Sequence, residues 1–204
     1  PSACGTCREV GTTNIGLPGG FDVTNEEHRA IVEQIWNLTP GTINATPGFH
    51  AVAMFKALVA GDITSIWIQV TNPGQSMPNL NENFNKAGDR FMVVSDIYPT
   101  ATTQLADVVL PSAMWVEKNG MFGNAERRTQ QWFKMVEPPG DARDDVWQTI
   151  AVTHRMFELG FEGMKDKDGK FLFSFKDDQG NEIEIWKWDV FKKNNIDKFL
   201  FEEY

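Results

Sequence analysis

Three short apolar runs, each breaking off into a polar loop, constrain this chain more than any other feature. In Ser65-Ile-Trp-Ile-Gln-Val-Thr-Asn-Pro-Gly-Gln-Ser76 the run 66–70 stops at a breaker-rich loop, 71–76. Phe91-Met-Val-Val94 runs into Ser95-Asp96-Ile-Tyr-Pro-Thr100, and Val108-Val-Leu110 into Pro111-Ser-Ala-Met-Trp115. Continuous apolar runs of this length, bounded by turn residues, fit the strands of a buried parallel sheet. In open parallel sheets ligands bind beyond the carboxyl ends of the strands. Three polar loops at three such ends predict one ligand site, suited to a nucleotide-like molecule.

The remaining chain supplies elements to flank that sheet. Residues 1–23, rich in Gly, Thr and Pro, form an irregular lead-in. Thr24-Asn-Glu-Glu27 has capping-box spacing and opens a helix whose inward stripe is Ile31, Val32, Ile35 and Trp36. A second helix is predicted over 49–60, with Val52, Met54, Phe55, Leu58 and Val59 apolar and Gly61 at the C′ position. The connection 77–89 is Asn-rich and at most briefly helical; 98–106 carries one or two helical turns. An extended segment covers 130–136, and a helix follows over 144–159 with Val146, Trp147, Ile150, Ala151 and Phe157 inward. Near the end, 171–175 and 183–188 flank Asp177-Asp-Gln-Gly-Asn181, a hairpin pattern. The expected architecture is α/β: a Rossmann-like, mostly parallel sheet flanked by helices over 1–160, with a small β-hairpin appendage over 161–204.

Charge narrows the partners. The net charge is −9 with no basic cluster, which argues against nucleic acid and anionic membrane surfaces. No apolar run approaches the ~20 residues needed to cross a bilayer. The opening Pro-Ser-Ala-Cys-Gly has no initiator Met and no charged leader, and suggests the interior of a longer protein.

Most chemically suggestive residues have an ordinary explanation. Cys4-Gly-Thr-Cys7 offers two thiols where structural zinc needs four ligands, so it is taken as two non-ligating thiols. His28, His50 and His154 fall on separate predicted helices and away from the strand ends. No G-x-S-x-G, H-E-x-x-H or phosphate-loop pattern is present, so spacing alone yields neither a catalytic constellation nor a metal site. Asn72, Ser95 and Asp96 differ, because they sit where strands deliver side chains to the crevice. Asp96 either accepts from a ribose or guanine edge or caps the following turn. Lys118, before Asn119-Gly120, either neutralises a phosphate or is solvated. Gly123-Asn-Ala-Glu-Arg-Arg128 forms either an ion-pair clasp or an anion site. Asp145, at a helix start, complements the helix dipole.

Read together, these segments resemble one family. Trp115-Val-Glu-Lys-Asn-Gly-Met-Phe-Gly-Asn-Ala-Glu-Arg-Arg-Thr-Gln130 is similar to a signature stretch of the catalytic subunits of periplasmic nitrate reductases. These are molybdenum oxidoreductases of the dimethyl sulfoxide reductase superfamily. Pro1-Ser-Ala-Cys-Gly-Thr-Cys-Arg-Glu-Val-Gly-Thr12, Thr71-Asn-Pro-Gly-Gln-Ser76, Val94-Ser-Asp-Ile-Tyr-Pro-Thr100 and Leu200-Phe-Glu-Glu-Tyr204 match further segments in the same order. The family usually has Ala where Cys7 stands.

The resemblance implies an α/β domain holding the guanosine diphosphate half of one molybdopterin guanine dinucleotide, within a bis(molybdopterin guanine dinucleotide) molybdenum cofactor. It assigns cofactor contacts to Asn72, Ser95, Asp96, Lys118 and Asp145; the last two rest on resemblance alone. It further implies nitrate as substrate, a periplasmic location, and a [4Fe-4S] cluster in an amino-terminal part outside this segment. A haem-bearing cytochrome small subunit would be the electron donor. The alternatives are an assimilatory nitrate reductase or formate dehydrogenase relative, and a non-catalytic α/β binding module.

Overall fold

The computed structural model describes residues 13–84, 90–123, 126, 128–177 and 179–194, and within them the three apolar runs form one parallel sheet. Cys4, Cys7 and the terminal Leu200-Phe-Glu-Glu-Tyr204 motif lie outside the described residues. In chain order the elements are β1 (Gly16–Leu17), β2 (Phe21–Asp22), α1 (Glu26–Ile35), α2 (Ala51–Ala60), β3 (Ser65–Gln69), α3 (Pro73–Ser76) and α4 (Leu80–Asn83). They continue with β4 (Phe91–Asp96), β5 (Val108–Pro111), β6 (Gly120–Gly123), β7 (Thr129–Trp132) and α5 (Asp145–Glu158). The last are β8 (Phe175–Lys176), β9 (Glu182–Ile183) and α6 (Trp188–Lys193). Two compact units divide them: one of residues 49–118 and 134–145, the other of the described parts of 1–48, 119–133 and 146–204.

The sheet unit has strand order β3-β4-β5, all parallel. Side chains alternate across a strand, so the register Ile66↔Met92 and Ile68↔Val94 puts these four on one face. That face meets Phe55 and Leu58 of α2, with Phe84, in one core. Met92 and Val94 expose no surface at all. Full burial of each such side chain contributes about 1.5–3 kcal/mol, which makes α2 and the sheet a single cooperative piece. The helix starts two residues later than its apolar pattern suggested, because the His50 side chain accepts from the Ala53 N–H and caps it. It ends as expected at Gly61, whose φ of 87° only glycine adopts without strain. The connections behave as their composition implied: α4 is one short turn, and a 3₁₀ turn over Thr103–Leu105 precedes β5.

The second unit is held by Ile150 of α5 with Phe171, Ile185 and Phe191. His154 lies flat on Trp186 with ring centres 3.8 Å apart, and Trp147 Nε1 donates to the Trp186 carbonyl. The hairpin forms, but only over Phe175↔Ile183 and Lys176↔Glu182. Its turn is tied by Asp177, whose Oδ1 accepts from the Gln179 and Asn181 N–H groups. Phe171 leaves the expected strand, bridging instead to Lys165 while its ring enters the core. The extended segment near 130 pairs as β7 with β6 in an antiparallel ribbon. Between these strands Arg128 pairs with Glu126 at 3.4 Å on an exposed surface, while the other residues of the expected clasp, 124, 125 and 127, lie outside the described residues. The architecture is α/β, a three-stranded parallel sheet flanked by helices, with small antiparallel hairpins. No helix among the described residues is long and apolar enough to cross a membrane.

Helix α1 corrects the sequence expectation twice. Its cap is Asn25, not Thr24: Asn25 Oδ1 accepts from Glu27 and His28, while the Thr24 hydroxyl bonds Asp22. Its inward stripe is not fully apolar either. Val32 is buried, but Ile31, Ile35 and Trp36 are exposed and Glu33 is buried beside Val32. The reason is the following loop, whose Gly41 and Ile43 N–H groups need an acceptor. Glu33 supplies one carboxylate oxygen to each, at 2.9 and 2.8 Å.

Those two backbone donors, Ile43 first and then Gly41, hold the Glu33 carboxyl below its ordinary 4.5. A depressed folded-state pKa stabilises the native chain above the unfolded value, and the gain disappears as pH falls through the folded value. Glu33→Gln retains one acceptor and opposes the other N–H with a donor. It should cost about 1–3 kcal/mol at pH 7, with the gap to wild type narrowing below pH 4.5. Urea denaturation at pH 7 and across the acid limb checks both parts; a pH-independent gap would contradict the carboxylate clamp.

Candidate functional site

Parallel pairing sets the strand ends level. Gln69 is opposite Ser95, Ser95 opposite Leu110, and Asp96 opposite Pro111. The three polar loops therefore leave the sheet at one edge, as the apolar runs predicted. At the first end the chain turns sharply: Val70, expected in the strand, has a φ of 48° and donates its N–H to the Ser95 carbonyl. A β-branched residue rarely adopts that conformation, at a cost of about 1–3 kcal/mol. The turn takes the chain out of the sheet two residues before Asn72.

Asn72 starts α3 and is half-buried. Its Oδ1 accepts from the Thr102 hydroxyl at 2.7 Å and the Thr102 N–H at 3.2 Å; its Nδ2 donates to Gln75 Oε1 at 2.9 Å. The loop after β3 is thereby tied to the loop after β4. Ser95 is fully buried, and its hydroxyl accepts from Trp67 Nε1 at 2.8 Å. It is on the sheet face opposite Met92 and Val94, where it fixes the indole of β3.

Asp96 takes one of the two roles that its position left open, the turn cap. One oxygen, Oδ1, caps the following turn, accepting from the Ile97 N–H at 2.7 Å and more weakly from Tyr98 at 3.4 Å. Among the described residues Oδ2 accepts no hydrogen bond. The side chain lines a cavity of about 350 Å³ together with Tyr98, Pro99, Thr103, Gln104 and Pro111. A turn cap thus leaves half the carboxylate available to a ligand.

Lys118 and Asp145 are brought together, and spacing gave no hint of it. Lys118 Nζ donates to Asp145 Oδ2, 27 positions away in sequence, with the two side chains only 17% and 21% exposed. The cause is a short extension of the sheet. The Arg143 N–H donates to the Pro111 carbonyl and the Ala113 N–H to the Arg143 carbonyl, a parallel bridge between Ser112 and Arg143. This lays 142–144 along the end of β5 and delivers Asp145 beside the loop that carries Lys118. Asp145 therefore neutralises a lysine as well as beginning a helix.

All five expected residues lie in one unit: Asn72, Ser95 and Asp96 at or just beyond strand ends, Lys118 after the 3₁₀ turn Trp115–Glu117, and Asp145 on the segment bridged to β5. Sequence reasoning missed Thr102, whose buried hydroxyl joins two loops, and Arg143, whose backbone makes the bridge. A Thr inside Pro-Thr-Ala-Thr-Thr carries no local signal of long-range bonding. Among the described residues no three His, Cys, Asp or Glu side chains gather as metal ligands. His28 and His154 are on helices, whereas His50 is a cap. The strand-end set offers an acceptor at Asp96 and a donor at Asn72, with the lysine at 118 already paired to Asp145.

The Lys118–Asp145 contact gives a direct test. Lys118→Met and Asp145→Asn, made singly and together, should show a coupling energy of about 0.5–3 kcal/mol in denaturant unfolding. Losses that add within about 0.5 kcal/mol would mean that the pair contributes nothing as a pair.

Comparison with known families identifies the family of the chain. Residues 4–155 match the model of the family described as molybdopterin oxidoreductase. The match takes in the whole sheet, its polar loops, and all five candidate residues. Family membership implies oxidoreductase chemistry and a molybdenum–pterin cofactor. With well over half its length matched, the chain belongs to the molybdopterin oxidoreductase family.

Proposed function

We propose that this chain is the part of a molybdenum-dependent nitrate reductase that binds the guanosine diphosphate portion of one molybdopterin guanine dinucleotide. The observation that carries the reading is Asp96, whose Oδ1 is spent on the turn, whose Oδ2 accepts no hydrogen bond among the described residues, and whose side chain lines a cavity at the carboxyl end of β4. A carboxylate oxygen so placed accepts from ribose hydroxyls or from the N1–H and exocyclic amine of guanine. Asn72 adds a donor, and Lys118, held by Asp145 in the structure, would turn an N–H toward a phosphate as a hydrogen-bond donor. In this reading 1–160 forms the cofactor-binding body and 161–204 the appendage.

The nitrate assignment rests on the resemblance of the 115–130 stretch and the strand-end motifs to periplasmic nitrate reductases. When bound, the cofactor supplies the two-electron chemistry that converts nitrate to nitrite; this chain binds and orients it. The same resemblance supports a periplasmic location, a [4Fe-4S] cluster elsewhere in the whole subunit, and a haem-bearing cytochrome small subunit as electron donor.

Asp96→Asn separates the two jobs of the side chain. The amide oxygen still caps the turn, and the amide nitrogen replaces the ligand-facing acceptor with a donor. Opposing a buried donor with a donor costs about 1–3 kcal/mol, roughly tenfold or more in Kd. Guanosine diphosphate titrated into the full chain should shift the backbone amides of Asn72, Ser95 and Asp96 first, and Asp96→Asn should bind correspondingly more weakly with unchanged circular dichroism. In the whole enzyme the variant should contain less molybdenum and retain its fold. Equal affinity and full molybdenum loading would reduce Asp96 to a turn cap.

A further inference from the structure

The Asn72–Thr102 contact decides which way the Asn72 amide faces. Thr102 exposes no surface, so its polar atoms must be satisfied within the protein. The Gly74 N–H donates to the Thr102 hydroxyl at 2.9 Å, which uses that oxygen as an acceptor. The hydroxyl proton is then directed to Asn72 Oδ1 at 2.7 Å, and the Thr102 N–H reaches the same atom at 3.2 Å. Two donors converging on one atom require an oxygen there, because an amide nitrogen would oppose donor with donor. The Asn72 NH₂ is consequently turned outward, one hydrogen on Gln75 Oε1 and the other with no acceptor among the described residues.

The approach of the two loops is as close as backbone allows. A Cβ added at Gly74 would lie 2.9 Å from the Thr102 nitrogen and 3.0 Å from the Ala101 carbonyl carbon. Both are backbone atoms and cannot swing aside, so the absence of a side chain at Gly74 admits the Thr102 hydroxyl to its N–H.

From this network we infer that Thr102 is a positioning residue: its buried hydroxyl holds Asn72 with a donor toward the ligand, selecting an acceptor on the ligand such as a phosphate or carbonyl oxygen. The inference rests on the guanosine diphosphate reading for the ligand, but not for the orientation of the amide. Strand-end groups then have opposite senses, a donor at Asn72 after β3 and an acceptor at Asp96 after β4. A ligand must present the complementary pair in that order, which is a specificity element built from one threonine.

The test uses Thr102→Val, which removes the hydroxyl at nearly constant volume, and Thr102→Ser, which keeps it. Without ligand, exchange of the Gly74 amide in the full chain should quicken roughly five- to tenfold in Thr102→Val and stay near wild type in Thr102→Ser. In a guanosine diphosphate titration the Asn72 side-chain NH₂ signals should shift in wild type. Affinity should fall roughly tenfold in Thr102→Val and recover in Thr102→Ser. Should Thr102→Val not fold, Asn72→Asp serves instead. It keeps an acceptor for Thr102 and loses the donor, so Gly74 protection should persist while affinity falls. Unchanged Gly74 exchange in Thr102→Val, or unchanged affinity in Asn72→Asp, overturns the inference. A wild-type chain that shows no ligand-induced shift, yet loses Gly74 protection in Thr102→Val, overturns the guanosine reading and upholds the positioning role.

Discussion

The parallel ladder of β3, β4 and β5 is the interaction on which the rest of the structure depends. Its register brings Gln69, Ser95 and Leu110 level, so the loops that follow begin from one edge. The ladder holds because Ile68, Met92 and Val94 are buried with Phe55 and Leu58, and Ile66 packs against them. A slip of one residue would move those side chains to the other face and send Ser95 and Asp96 to the wrong sides. Burial on one face thus fixes polar chemistry at the edge, and the site depends on the core more than on the loops' own preferences.

At that edge the protein uses hydrogen-bond direction rather than net charge. The chain carries −9 overall, and the lysine nearest the strand ends is held by a carboxylate. What distinguishes the site is that its polar atoms are partly committed. Asp96 gives one oxygen to its turn, and Asn72 gives its oxygen to Thr102. Each commitment lowers the freedom of the remaining atom, so less entropy is lost on binding. Under the proposed function such a site would provide binding and orientation, the contribution that a cofactor enzyme asks of its protein.

Much of this was legible because local and tertiary signals coincide. Apolar runs of three to five residues marked the three strands, with the polar loops of the candidate site after them, and Gly61 marked a helix end. Legibility failed where a distant partner decides. No apolar pattern singles out Glu33, and its burial follows from the N–H groups of Gly41 and Ile43 placed over it. Lys118 reads as solvated until the Ser112–Arg143 bridge brings Asp145 alongside. Thr102 is one of three threonines within four residues, and only its contact with Asn72 distinguishes it. In each case a backbone or side-chain bond across many positions overrides local preference, and no periodicity encodes it.

The central claim is that a guanosine diphosphate group lies against the carboxyl edge of this sheet. A crystal structure of the cofactor-loaded enzyme measures it most directly, through the distance from Asp96 Oδ2 to the nearest polar atom of the nucleotide. The account predicts a hydrogen bond of about 2.6–3.2 Å, with the Asn72 NH₂ donating to an oxygen of the same group. A nucleotide seated elsewhere, with Asp96 Oδ2 and Asn72 Nδ2 both facing bulk water, would contradict it.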